Sequence, residues 1–152
     1  MSREQDRIKK KLEKNPILEC NKIQKRFYPE LFRRFEEVKD PRHKSYIAYS
    51  IKTMLGTLYY KCIGGISSMR EMTNAFNDET VVKNLYSFIG DEKHNYMPHG
   101  VTVNELLEKL DPVELENVQK DIVYTMIRRK TFDNAKVLKK WQVIVDATEL
   151  DE

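Results

Sequence analysis

The chain has 152 residues, enough for one domain with a real hydrophobic core. Its 40% hydrophobic and 34% charged residues exclude wholesale disorder, and five Gly with five Pro favour long helices over a turn-rich β architecture. A net charge of +3 does not by itself argue for nucleic acid, no apolar run reaches membrane-spanning length, and the charged N-terminus lacks the apolar centre of a signal peptide.

Ser2 with Gln5 reads as a capping box that opens a strongly basic segment carrying Arg7, Lys9, Lys10, Lys11 and Lys14. Such a segment is either a solvated helix or an arm that lies along phosphates. Pro16 restarts the helix with Ile17, Leu18, Cys20, Ile23 and Phe27 on one side, so residues 1–28 form a basic helical arm. Pro29 suits the first turn of the next helix, in which Leu31, Phe32, Phe35 and Val38 recur at helical spacing. Asp40-Pro41-Arg42 breaks that helix, because a residue before proline is pushed out of the α region.

A long helix is predicted from about Lys44 to Cys62, with Ile47, Ile51, Met54, Leu55, Leu58, Tyr59 and Cys62 as the stripe of a central core helix. Cys20 and Cys62 lack metal-site spacing and fall on predicted apolar faces, which predicts buried, reduced thiols. Ser68 with Glu71 caps a short helix to about Phe76. Asn77-Asp78 turns the chain, and a second helix runs from Glu79 to Ile89, closed by Gly90. Two short helices joined by a tight polar turn have helix-turn-helix shape, although Lys83 and Asn84 are thin for reading bases.

Residues 91–101 read as a polar loop, and His94, His99 and Asp91 in it lack the spacing of a metal site. Thr102 with Glu105 is predicted to open the next helix, carrying Val103, Leu106, Leu107 and Leu110. Asp111-Pro112-Val113-Glu114 is the clearest helix start in the chain. Leu115, Val118, Ile122, Val123, Met126 and Ile127 then form its apolar face, and Arg128, Arg129 and Lys130 stand at its end. Those cations suit either the helix dipole or phosphates. Residues 131–140 are a basic connector. Val143, Ile144 and Val145 form a β-branched run that suits a strand buried on both faces, with Asp146 where such a strand runs out into a loop.

Leu31-Phe-Arg-Arg-Phe-Glu-Glu-Val-Lys-Asp-Pro-Arg42, Gly65-Ile-Ser-Ser-Met-Arg-Glu-Met72, Pro98 through Val101-Thr102 into Leu106 and Leu110, and Trp141 through Val145-Asp146-Ala-Thr148 occur in one order. That order, over about residues 30–150, resembles the N-terminal part of insertion-sequence transposases of the DDE type. The resemblance implies a mainly α chain. Residues 29–130 would be a helical transposase-associated domain with the helix-turn-helix-like pair, and residues 141–152 the first strand of an incomplete ribonuclease-H-like domain. Asp146 would be the first catalytic acid and a magnesium ligand, although Ala147 stands where the family often has Gly. Such enzymes hold a pair of magnesium ions with two Asp and a Glu. The other acids lie downstream in the family, so this polypeptide is expected to be catalytically inactive alone.

The resemblance and the basic clusters together imply DNA as partner, a possible homo-oligomer and a cytoplasmic, nucleoid-associated protein. The residues expected on DNA are Arg33, Arg34, Arg42, Lys44, Arg70, Lys83, Arg128, Arg129 and Lys130. The alternative is a helical protein-interaction module that dimerises with, or inhibits, a full-length transposase.

Overall fold

A computed structural model describes residues 16–92, 94–131, 133–136 and 140. Among the described residues the chain is helical, with seven α-helices and no strand. In chain order they are α1 (Pro16–Phe27), α2 (Leu31–Glu37), α3 (Ile51–Ile63), α4 (Met69–Ala75), α5 (Glu79–Ile89), α6 (Gly100–Lys109) and α7 (Pro112–Arg128). Two single-turn 3₁₀ segments, Lys44–Tyr46 and Asp133–Ala135, complete the order. The basic segment before Pro16, the Val143–Val145 run and Asp146 lie outside the described residues.

The core is built around α3. Met54, Thr57 and Tyr60 are fully buried, and Ile51, Thr53, Leu55 and Gly56 are buried with them. On one side α2 lays Phe32 against α3, its ring stacked on Tyr60 at 5.9 Å and edge-on to Tyr59 at 5.9 Å. On another side α5 brings Ile89 over Gly56, where an added Cβ would lie 2.9 Å from the isoleucine side chain. Helix α1 reaches the same helix through the Tyr60 hydroxyl, which donates to Asn21 Oδ1 at 3.2 Å. The buried threonines are satisfied as well: Thr57 Oγ1 donates to the Thr53 carbonyl, and Thr53 Oγ1 donates to Asp91 Oδ2.

Helix α4 and helix α6 form a second close contact. Gly100 sits so near α4 that a Cβ there would meet the Met69 carbonyl oxygen at 2.6 Å. Its amide donates to Thr73 Oγ1, and Asn77 ties the turn to the following loop by accepting from the Met97 amide.

Several predicted boundaries shift, each for a local reason. Helix α3 begins at Ile51 and not near Lys44. Ser50 caps it by accepting from the Thr53 amide, and Ser50 in turn donates to Asp91. Upstream, Arg42 forks onto Asp40 and donates to the Tyr49 carbonyl at 2.8 Å, which holds residues 40–49 as a loop. Ile47, read as a core position, is 37% exposed there. Helix α2 begins after Pro29, at Leu31. Helix α6 begins at Gly100, capped by His99 Nδ1 accepting from the Val101 amide, two residues before the predicted Thr102 start. Cys62 is exposed and Cys20 half-buried, correcting the expectation of two buried thiols; both are free.

The caps at Ser68 and Asp111 and the left-handed Gly90 fall where the sequence places them, and Asp78, read as part of the turn, caps α5 by accepting from the Thr80 and Val81 amides. At Ser68 the box is modified: Glu71 reaches past the cap and accepts from both the amide and the hydroxyl of Ser67.

Candidate nucleic-acid interface

Attraction for phosphate requires cations that the fold has not already neutralised, so the basic residues are sorted by what they touch. Arg33 pairs with Glu30 and Glu37, each at 2.5 Å. Arg34 pairs with Glu37 at 2.8 Å, and its Nε lies 2.9 Å from Asp121 Oδ2. That carboxylate also accepts from the Tyr28 hydroxyl at 2.7 Å. Burial and this bond together push Tyr28 up to about 12. Arg34 therefore helps to fasten α7 to the body.

Arg42 is the most enclosed, with its side chain only 12% exposed beside Asp40. Burial alone would raise the Asp40 carboxyl, but the side-chain and backbone hydrogen bonds from Arg42 outweigh it and hold it below its ordinary value. The Asp-Pro-Arg motif is thus an internal staple. Of the three expected on DNA, Arg42 is engaged inside the fold, whereas Arg33 and Arg34 are ion-paired at the surface, with side chains 54% and 36% exposed.

Lys44, Arg70 and Lys83 are exposed, on the 3₁₀ turn, α4 and α5 respectively. The α4–α5 pair has the connectivity of a helix-turn-helix, but α4 packs on α6 and α5 on α3. The helix that would enter a groove opens with Asp78 and Glu79, and two carboxylates at that end repel phosphates.

The remaining residues come together. Helix α7 ends with Arg128, Arg129 and Lys130, and Arg129 Nη1 donates to the Arg26 carbonyl at 3.1 Å. This bond satisfies a carbonyl at the end of α1 and sets two helix ends side by side. Arg26 on the last turn of α1 thereby meets the α7 end, and Lys25 precedes it with its ammonium 6.0 Å from the centre of the Phe88 ring; all five cations belong to exposed residues. Two helix C-termini contribute about −0.5 charge each, roughly −1 in total, against these five cations. The side chains win by about four charges.

Lys25 and Arg26 were missed by the sequence reading, although both stand in the last turn of α1. The meeting of Arg26 with Arg129 spans 103 positions of sequence, a distance over which no local spacing carries a signal. The chain leaves α7 through Lys130 at a left-handed φ of 56°, with the Thr131 amide donating to the Met126 carbonyl at 3.0 Å. This is a Schellman-type ending made without glycine.

The loop histidines have structural roles: His94 packs on Tyr49 and Tyr86, and His99 caps α6. Among the described residues no group of three His, Cys, Asp or Glu could hold a metal ion, and no helix is long and apolar enough to cross a membrane. No family model, no curated protein and no solved structure matches this chain.

Proposed function

We propose that this chain is a DNA-engaging helical part of a DDE-type transposase, acting in assembly of the transposition complex. The order of its sequence motifs supports the family reading. The observation that carries DNA engagement is the basic end that Arg129 builds by joining α7 to α1. Phosphates are the ligand such a surface takes, because its clustered cations are held by ring faces and backbone and not by carboxylates: Lys25 lies over Phe88, Arg26 over Phe27, and Arg129 bonds the Arg26 carbonyl. In this reading Asp146 belongs to a magnesium-holding acidic set; the described residues supply no such set, and catalysis is not assigned to them.

The test is fluorescence anisotropy of a labelled duplex over a series of salt concentrations. Affinity is expected to fall steeply with salt, and Lys25→Gln, Arg26→Gln or Lys130→Gln should each flatten the log–log slope by about one. Arg33→Gln should leave the slope alone. An affinity indifferent to salt, or substitutions at Lys25, Arg26 and Lys130 without effect, overturns the reading.

The second reading, a helical protein-interaction module, draws on a different observation: large apolar side chains of α7 stand in solvent, among them Tyr124 at 60% exposure.

A further inference from the structure

Helix α7 has two apolar sides, and the fold covers one of them. Leu115, Val118 and Ile122 are half-buried against the body. At 100° per residue, the opposite side carries Val113, Val123, Tyr124 and Ile127, all exposed. Glu116 and Lys120 stand between them, paired with each other at 3.3 Å. Positions 113, 116, 120, 123 and 127 alternate in steps of three and four, the spacing of a helix–helix seam.

We propose that this stripe is a two-fold contact between two copies of the chain, with their α7 helices antiparallel. The partner and the direction both follow from the order of charge along the helix. Its start carries Asp111, Glu114 and Glu116, and its end carries Arg128, Arg129 and Lys130. Antiparallel pairing sets an acidic start against a basic end twice over and opposes the two helix dipoles. Parallel pairing stacks like charge on like charge at both ends.

With Lys120 at the two-fold axis, Val113 faces Ile127 of the second copy and Glu116 faces Tyr124. Each Lys120 then lies beside the Glu116 of the other helix as well as its own. A single seam of about 25 Å with four apolar side chains per copy is small, so the dimer is reversible. It deepens the interaction-module reading by naming the partner. Arg128, Arg129 and Lys130 then lie beside the acidic start of the second copy, so dimer and duplex draw on the same cations, and the dimer is tested without DNA.

The experiment uses the full chain without DNA, in a background of Cys20→Ser and Cys62→Ser, with a short bismaleimide linker matched to helix axes about 8–10 Å apart. Lys120→Cys should crosslink to itself. Val113→Cys alone should not, whereas Val113→Cys mixed with Ile127→Cys should. Light scattering should show the mass rising with concentration from 18.1 kDa toward twice that value. Tyr124→Asp combined with Ile127→Asp should hold the chain monomeric with unchanged helical circular dichroism. Self-crosslinking through Val113→Cys, equal crosslinking at every position, or a monomer at all concentrations overturns the proposal. The DNA titration is read separately, so either idea can fail without the other.

Discussion

Helix α3 and helix α7 are both amphipathic, yet they live in different surroundings. Seven of the thirteen residues of α3 are buried, whereas α7 is seventeen residues long and buries none. The difference lies in what surrounds them. Helix α3 is wrapped by α1, α2 and α5, while α7 leans on α2 and touches the end of α1 through one arginine. Stability is therefore concentrated around α3, and the surfaces available for partners are concentrated on α7.

The sharpest way to break this contrast is to hollow out α3. Met54→Ala removes a fully buried side chain and should cost about 2–5 kcal/mol in urea unfolding. Val123→Ala on the open side of α7 should stay within about 0.5 kcal/mol. Equal losses at the two sites would erase the distinction.

A second prediction tests how closely the body is packed. Gly100→Ala drives a Cβ against the Met69 backbone and should cost roughly 1–3 kcal/mol. Gly56→Ala should cost less, because it meets side-chain atoms of Ile89, Cδ1 and Cγ1 at 2.9 Å, and not backbone. If Gly56→Ala were the worse of the two, side-chain packing on α3 would be more rigid than the backbone contact between α4 and α6.

The Asp40–Arg42 staple gives a pH test. The Asp40 carboxyl is held below its ordinary 3.8, so its contribution is complete above that value and is lost as pH falls through the lower folded value. Asp91, also held low against its own burial by bonds from Ser50 and Thr53, acts in the same direction at the start of α3. Asp40→Asn should cost about 1–2 kcal/mol at neutral pH, and the gap from the unaltered chain should close below 3.8. A gap constant across that range would mean that the loop does not depend on the charge.

The smallest effect falls on α7 and has two signs. Lys130→Gly relieves a left-handed backbone and should raise stability by about 0.5–1 kcal/mol. The same change should weaken duplex binding, because it removes a cation from the basic end. A rise in both would take Lys130 out of the interface.

Much of the fold was legible in the sequence because it is local chemistry. Asp111 with Pro112, Asp78, Ser68 and Gly90 mark helix ends through bonds made within a few residues. The apolar stripe of α3 reads directly as a core helix. Its start was misplaced because Ser50, which caps it by accepting from the Thr53 amide, was not read as a cap; the Asp91 carboxylate that takes the Ser50 hydroxyl lies forty-one positions away. On α7 the sequence reading placed Val123 and Ile127 on one apolar face with Leu115, Val118 and Ile122, but only the latter three meet the body while Val123 and Ile127 are exposed.

The basic cluster divides in the same way. Arg128, Arg129 and Lys130 stand out as a run, whereas Arg33, Arg34 and Arg42 look equally free until Glu30, Glu37, Asp121 and Asp40 are seen beside them. The amino-acid sequence by itself determined the helical class, the caps at Ser68 and Asp111, and the Ile51, Met54 and Leu55 part of the α3 core, since these depend on short-range hydrogen bonding and periodic burial; Thr53, Thr57 and Tyr60 complete that core, while Ile47 and Cys62 are exposed. The pairs of Arg33 and Arg42 are made within four residues. Only the tertiary structure decided that Arg34 meets Asp121, which side of α7 stays open, and that Arg26 and Arg129 share one surface, because these depend on contacts between residues far apart in the chain.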